Sequence, residues 1–159
     1  MAETSFFLLY LAPERIAQPY EGPTLVPQGL YGCPEYPAIQ LRSSASQLGR
    51  FALMLANSGA AEGATLLSAK SFTAIVDRQA AAVDEDQGLA LYRTHRGGRA
   101  VVGISGDDIG ARTEMFIDPI ARSGYVLLLN TNNATLDGAF EKAVDDITDK
   151  LMELTGTLP

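Results

Sequence analysis

One cysteine, one histidine and no tryptophan occur in 159 residues. A single thiol, Cys33, excludes an intrachain disulfide. With no basic neighbour it reads as an incidental or buried thiol rather than a nucleophile. The scarcity of histidine leaves one imidazole, His95, flanked by Arg93 and Arg96 at a strand end. A general base wants burial and an acidic partner, so His95 reads as an exposed hairpin residue. No zinc or calcium ligand spacing occurs, and neither GxxxxGK[ST] nor GxGxxG is present. No metal or cofactor is therefore expected. Basic residues are few, 12 against 19 acidic, for a net charge of −7. That excludes the clustered cations that nucleic acid requires and the basic surface that anionic membranes attract. No stretch approaches the ~20 apolar residues of a membrane span. The apolar run 6–12 is short and follows Glu3, which makes a poor export signal, so the chain as written is expected to be cytoplasmic or else to have lost its export segment.

What is present fits one α+β domain over 1–159. Proline is concentrated at the start, with Pro13, Pro19, Pro23, Pro27, Pro34 and Pro37. This predicts an extended arm over 1–40. Two helices are expected within 43–79. The first, over 43–59, opens on serines, turns Leu48, Phe51, Ala52 and Leu55 inward and stops at Gly59. The second, over 66–79, is capped by Ser68, with Phe72, Ile75 and Val76 inward. Four strands follow at 88–95, 99–106, 112–118 and 125–131, joined by short turns and hence antiparallel. The last is apolar on both faces, which predicts a central position in a completed sheet. A final helix over 134–156 places Leu136, Phe140, Ala143, Val144, Ile147, Leu151 and Leu154 on one stripe. It is expected to pack on one face of the sheet. Asp107 and Asp108 read as turn formers rather than metal ligands.

The order of these segments is more informative than any one of them. YPAIQLRSSASQLGRFALMLANSG (36–59) leads to LLS (66–68), GLALYR (88–93), GISGDDIG (103–110), TEMFIDP (113–119) and GYVLLLNT (124–131). This series resembles the C-terminal portion of the serine β-lactamase and penicillin-binding-protein-like family, nearest its class C and esterase-type members. The resemblance implies a partial β-lactamase-like fold. It also gives Ile104, Ser105 and Gly106 the place of the family's (Lys/His)-(Ser/Thr)-Gly triplet, which edges the active-site cleft. There the cation and hydroxyl hold the substrate carboxylate, and the strand backbone serves the oxyanion hole. Here an isoleucine stands where the polar residue belongs. Ile39 and Gln40 stand where relatives often carry two glycines.

The family's nucleophile lies in Ser-x-x-Lys. Three residues before Lys70, Lys142 and Lys150 stand Leu67, Ala139 and Ile147, so the motif does not occur. Its second motif, Tyr-x-Asn or Ser-x-Asn, is also missing. The leading expectation is a truncated or degenerate family member, inactive alone, surviving as a binding or assembly module. One rival is the C-terminal part of a serine β-lactamase, esterase or D-Ala-D-Ala peptidase-like hydrolase whose nucleophile comes from another polypeptide or from a missing N-terminal half. Another is a binder of small carboxylates through Ser105, Tyr31 and Arg112. In the family the strand matching 125–131 is paired on its far side by segments absent here. A homodimer through that edge and helix 134–156, or through a swap of the proline-rich arm, is therefore expected.

Overall fold

A computed structural model of the chain describes residues 3–132 and 138–156. The proline-rich arm holds two single-turn 3₁₀ segments, Leu8–Tyr10 and Pro13–Arg15, and two short strands, β1 (Tyr20–Glu21) and β2 (Val26–Pro27). It is tied back where Ser5 and Arg42 exchange backbone hydrogen bonds of 3.0 Å. Helix α1 (Ala45–Ala56) starts where Ser44 accepts from the Gln47 amide, which satisfies one of the free N–H groups of its first turn. It ends in a Schellman motif. The Gly59 amide reaches the Met54 carbonyl and the Ser58 amide the Leu55 carbonyl, both at 2.9 Å. Ser58 takes the left-handed position at φ 55°, one residue before the glycine expected as the stop. The hairpin β3 (Ala60–Ala61) and β4 (Ala64–Thr65) follows. Helix α2 (Ala69–Val76) is capped by Ser68, as expected from the sequence.

The main sheet has the order β5 (Tyr92–Arg96), β6 (Arg99–Asp108), β7 (Ala111–Asp118), β8 (Ser123–Leu129), all antiparallel. Two-residue turns at Gly97-Gly98 and Ile109-Gly110 join the first three strands. The first strand is shorter than the expected 88–95. Gly88 to Leu91 form a turn whose Gly88 amide donates to Leu91 at 2.7 Å. A side chain at Gly88 would lie 2.7 Å from the Ile75 and Leu91 carbonyls, so this turn is pressed against the end of α2.

Helices cover both faces of the sheet. On one, Met54, Leu55 and Ala56 of α1 and Val76 of α2 meet Val102, Met115 and Ile117. On the other, Met152 of α3 (Ala139–Thr155) meets Val101, Phe116 and Tyr125. Strand β8 stands at the edge of the four-stranded sheet, the open edge expected of this chain alone. Its apolar character on both faces comes from burial between α1 and α3. The short strand β9 (Thr131–Asn132) leaves the main sheet and pairs in parallel with β1 of the arm.

Two inward stripes differ from expectation. In α1, Phe51 is 40% exposed while Met54 and Ala56 are buried. In α3 the buried line is Val144, Thr148 and Met152, at helical spacing of four. Ile147 and Leu154 lie outside it, 43% and 50% exposed. Thr148 can be buried because its hydroxyl donates to the Asp145 carbonyl at 3.1 Å. Leu136 and the start of the expected helix, 134–137, lie outside the described residues. No helix among the described residues is long and apolar enough to cross a membrane.

Candidate functional site

Strand alternation separates the triplet at 104–106 between the two faces of the sheet. Val102, Ile104 and Gly106 share the α1 side. Val101, Gly103 and Ser105 share the α3 side, where Gly103 pairs with Phe116 and Ser105 with Glu114. Ile104 lies in the open, 45% exposed. It offers a ligand contact area but neither a charge nor a hydrogen bond. The Ser105 hydroxyl shares a hydrogen bond of 2.8 Å with the Tyr92 hydroxyl of β5. Gly106 faces Thr113, whose Oγ1 would lie 3.1 Å from any added Cβ.

Tyr31 reaches the tip of the β6–β7 hairpin, where its hydroxyl donates to the Ile109 carbonyl at 3.2 Å. Burial and then the neighbouring Asp108 carboxylate push its phenol up to about 12, so Tyr31 is a neutral donor at physiological pH. Gln40 lies beside it in left-handed backbone, φ 66°, and its side-chain amide opposes part of that rise. The segment is held by Arg42, whose guanidinium donates to the Tyr31 carbonyl at 2.6 Å.

Arg112 stands on the α3 face with little of its side chain exposed. Its guanidinium is paired with Asp107, with Glu114 at 3.1 Å and with Glu141 of α3 at 3.6 Å. Burial pulls its acidity toward the neutral form, but these carboxylates outweigh it and hold the cation more firmly than usual. The charge proposed for a ligand carboxylate is thus already committed to three protein carboxylates. The structure brings Tyr31 to the far end of β6 beside Asp108. It places Ser105 and Arg112 on the opposite face from Ile104.

Sequence reasoning missed the group at the centre of that face. Glu114 is 1% exposed. It accepts from Arg96 at 3.3 and 3.4 Å, from Arg112 at 3.1 Å and from the Tyr125 hydroxyl at 2.6 Å. The signal was the alternation Arg112, Glu114, Phe116, Asp118, which puts opposite charges two apart on one face of a strand whose other face is apolar. A second pair closes the same face. Arg99 holds Asp118 at 2.7 Å and also reaches the Met152 carbonyl and Thr155 of α3.

His95 is exposed on β5, in agreement with the sequence. Asp108 accepts from the Ile109 amide at 2.8 Å, the turn-forming use expected of it. Among the described residues, no three His, Cys, Asp or Glu side chains come together as a metal site. Cys33 is half-buried and donates its S–H to Glu35, which pushes its pKa above the usual thiol value. The thiolate is the reactive form, so alkylation of wild-type Cys33 by iodoacetamide near neutral pH is expected to be slow. Glu35→Gln removes the carboxylate and is expected to speed labelling, followed by mass spectrometry. Equal rates would show that Glu35 does not control the thiol.

Two concavities of the surface lie elsewhere. One, of about 350 Å³, is walled by α1, the β3–β4 hairpin and Arg122. Another, of about 410 Å³, is bounded by Asp77, Arg78 and Arg93. Neither is lined by Ile104, Ser105, Gly106, Tyr31 or Arg112.

The sheet with helices on both faces gives the α+β fold class, and comparison with known families gives the family. The family model described as beta-lactamase matches residues 1–149. The chain therefore belongs to the β-lactamase family, the serine β-lactamase and penicillin-binding-protein-like group. Searches of the curated proteins and of the solved structures matched nothing.

Proposed function

We propose that this chain is a degenerate or partial β-lactamase-family protein that does not acylate by itself and acts as a binding or assembly module. The absence of Ser-x-x-Lys from the sequence carries this reading. Without an activated nucleophile the covalent route is closed. The environment of the third-motif positions supports it, since Ile104 is uncharged and Ser105 is engaged by Tyr92. The test is turnover of a chromogenic cephalosporin and of a p-nitrophenyl ester. No rate above buffer is expected for the wild type or for Ile104→His, because a restored cation has no nucleophile to assist. Saturable hydrolysis by the wild-type chain would overturn the proposal. Hydrolysis that arises only on mixing with a second polypeptide carrying Ser-x-x-Lys would establish the split-enzyme reading instead.

The assembly part of the proposal is a homodimer. Among the described residues the far side of β8, Ser123–Leu129, pairs with no strand. The arm covers only the end beyond it, where the Tyr20 amide reaches the Asn130 carbonyl at 2.9 Å and β1 pairs with β9. A seven-residue apolar edge with open N–H and C=O groups invites a second strand. Ile147 and Leu154 add exposed apolar surface on α3. Light scattering over a dilution series is expected to show a concentration-dependent dimer. A monomer at high micromolar concentration would remove this part of the proposal.

A further inference from the structure

We infer that the hollow between α1, the β3–β4 hairpin and the β7–β8 loop binds a small zwitterion, an α-amino acid with an aliphatic side chain. The first observation is one of charge. In a chain with more acidic than basic residues, the other arginines each hold a carboxylate or a carbonyl. Arg50 and Arg122 hold neither among the described residues, and both line this one hollow. Two unpaired guanidiniums at one site offer the planar donor forks that suit a carboxylate.

The second observation is the rest of the wall. Arg50, Leu53 and Met54 are spaced three and four apart along α1 and so share one face. Leu53 is 56% exposed, an aliphatic surface with no protein partner covering it, and Ala60 of β3 continues it. Glu62 supplies the one carboxylate of the lining. The C-terminal end of α1, at Ala56, adds negative partial charge nearby. Both favour an ammonium group and disfavour a dianion such as phosphate. Glu62 and Arg122 also occupy left-handed backbone, φ 51° and 54°, where glycine is the ordinary occupant. The hollow is open to solvent and has a volume of about 350 Å³, room for a small ligand. The carboxylate is placed on Arg50 and Arg122, the ammonium on Glu62 and the side chain on Leu53 and Ala60.

The experiment is a ¹⁵N NMR titration of the full chain with L-leucine. Parallel titrations use 4-methylpentanoate, which lacks the amine, and 3-methylbutylamine, which lacks the carboxylate. Saturable leucine shifts are expected at Ala60, Ala61 and Arg122, in the millimolar range that so small a ligand allows. The amine alone is expected to give none. Arg50→Met and Arg122→Gly are each expected to weaken leucine about tenfold, the loss of one charge-assisted contact. Glycine suits the backbone at 122, so that variant keeps the fold. Glu62→Gln is expected to weaken leucine but not 4-methylpentanoate. Unsaturable shifts, equal binding of the amine, or leucine affinity unchanged in both arginine variants would overturn the inference.

Discussion

Glu114→Ala is expected to cost about 3–5 kcal/mol of folding stability, the cost of breaking a buried ion pair from one side. That is a large share of the 5–15 kcal/mol margin typical of a domain. Glu114 is the acceptor on which Arg96, Arg112 and Tyr125 converge. Arg96 and Arg112 are themselves 18% and 13% exposed in their side chains. Removing the carboxylate leaves two guanidiniums poorly solvated and a buried phenol without an acceptor. Arg96 also lies 5.3 Å over the Phe116 ring, so it cannot swing freely into water. Glu114→Gln keeps an acceptor for Tyr125 and is expected to fall between wild type and alanine. Urea unfolding with an unchanged m-value would measure both. A loss below about 1 kcal/mol for the alanine variant, the scale of a surface pair, would mean that the network is not structural.

Gly103→Ala is expected to be nearly as severe, about 3 kcal/mol or more, at or beyond the upper end of overpacking costs. Gly103 pairs with Tyr92 on one side and Phe116 on the other. The two rings meet edge to face at 5.4 Å. A Cβ at Gly103 would lie 2.1 Å from the Met115 carbonyl oxygen and 2.5 Å from the Phe116 ring. The first neighbour is backbone and cannot rotate away. Gly106→Ala on the same strand meets only the Thr113 hydroxyl at 3.1 Å and is the milder control. Thermal midpoints of the two variants would separate them. Equal midpoints would show that β6 and β7 can slide apart at no cost.

These two sites also mark where the sequence was legible. The serine caps of α1 and α2, the three hairpin turns and the antiparallel order follow from local chemistry, and each was readable residue by residue. The alternation of β7 showed a strand but not that its charged residues would face a helix. Burial of Glu114 depends on Arg96, eighteen residues earlier, and on Tyr125, eleven later, and no local pattern joins them. The stripe of α3 was rotated for a similar reason. Thr148 counts as polar until its hydroxyl is bonded to its own helix. The triplet 104–106 was legible as a position and not as an environment. Only register places Ser105 beside Tyr92 and leaves Ile104 on the other face.

The central claim is that the chain cannot form an acyl-enzyme by itself. Intact mass spectrometry of the wild-type protein after prolonged incubation with a chromogenic cephalosporin tests it most directly, since it detects an adduct even when turnover is too slow to see. The account predicts an unchanged mass. A stoichiometric acyl adduct on any serine would contradict it.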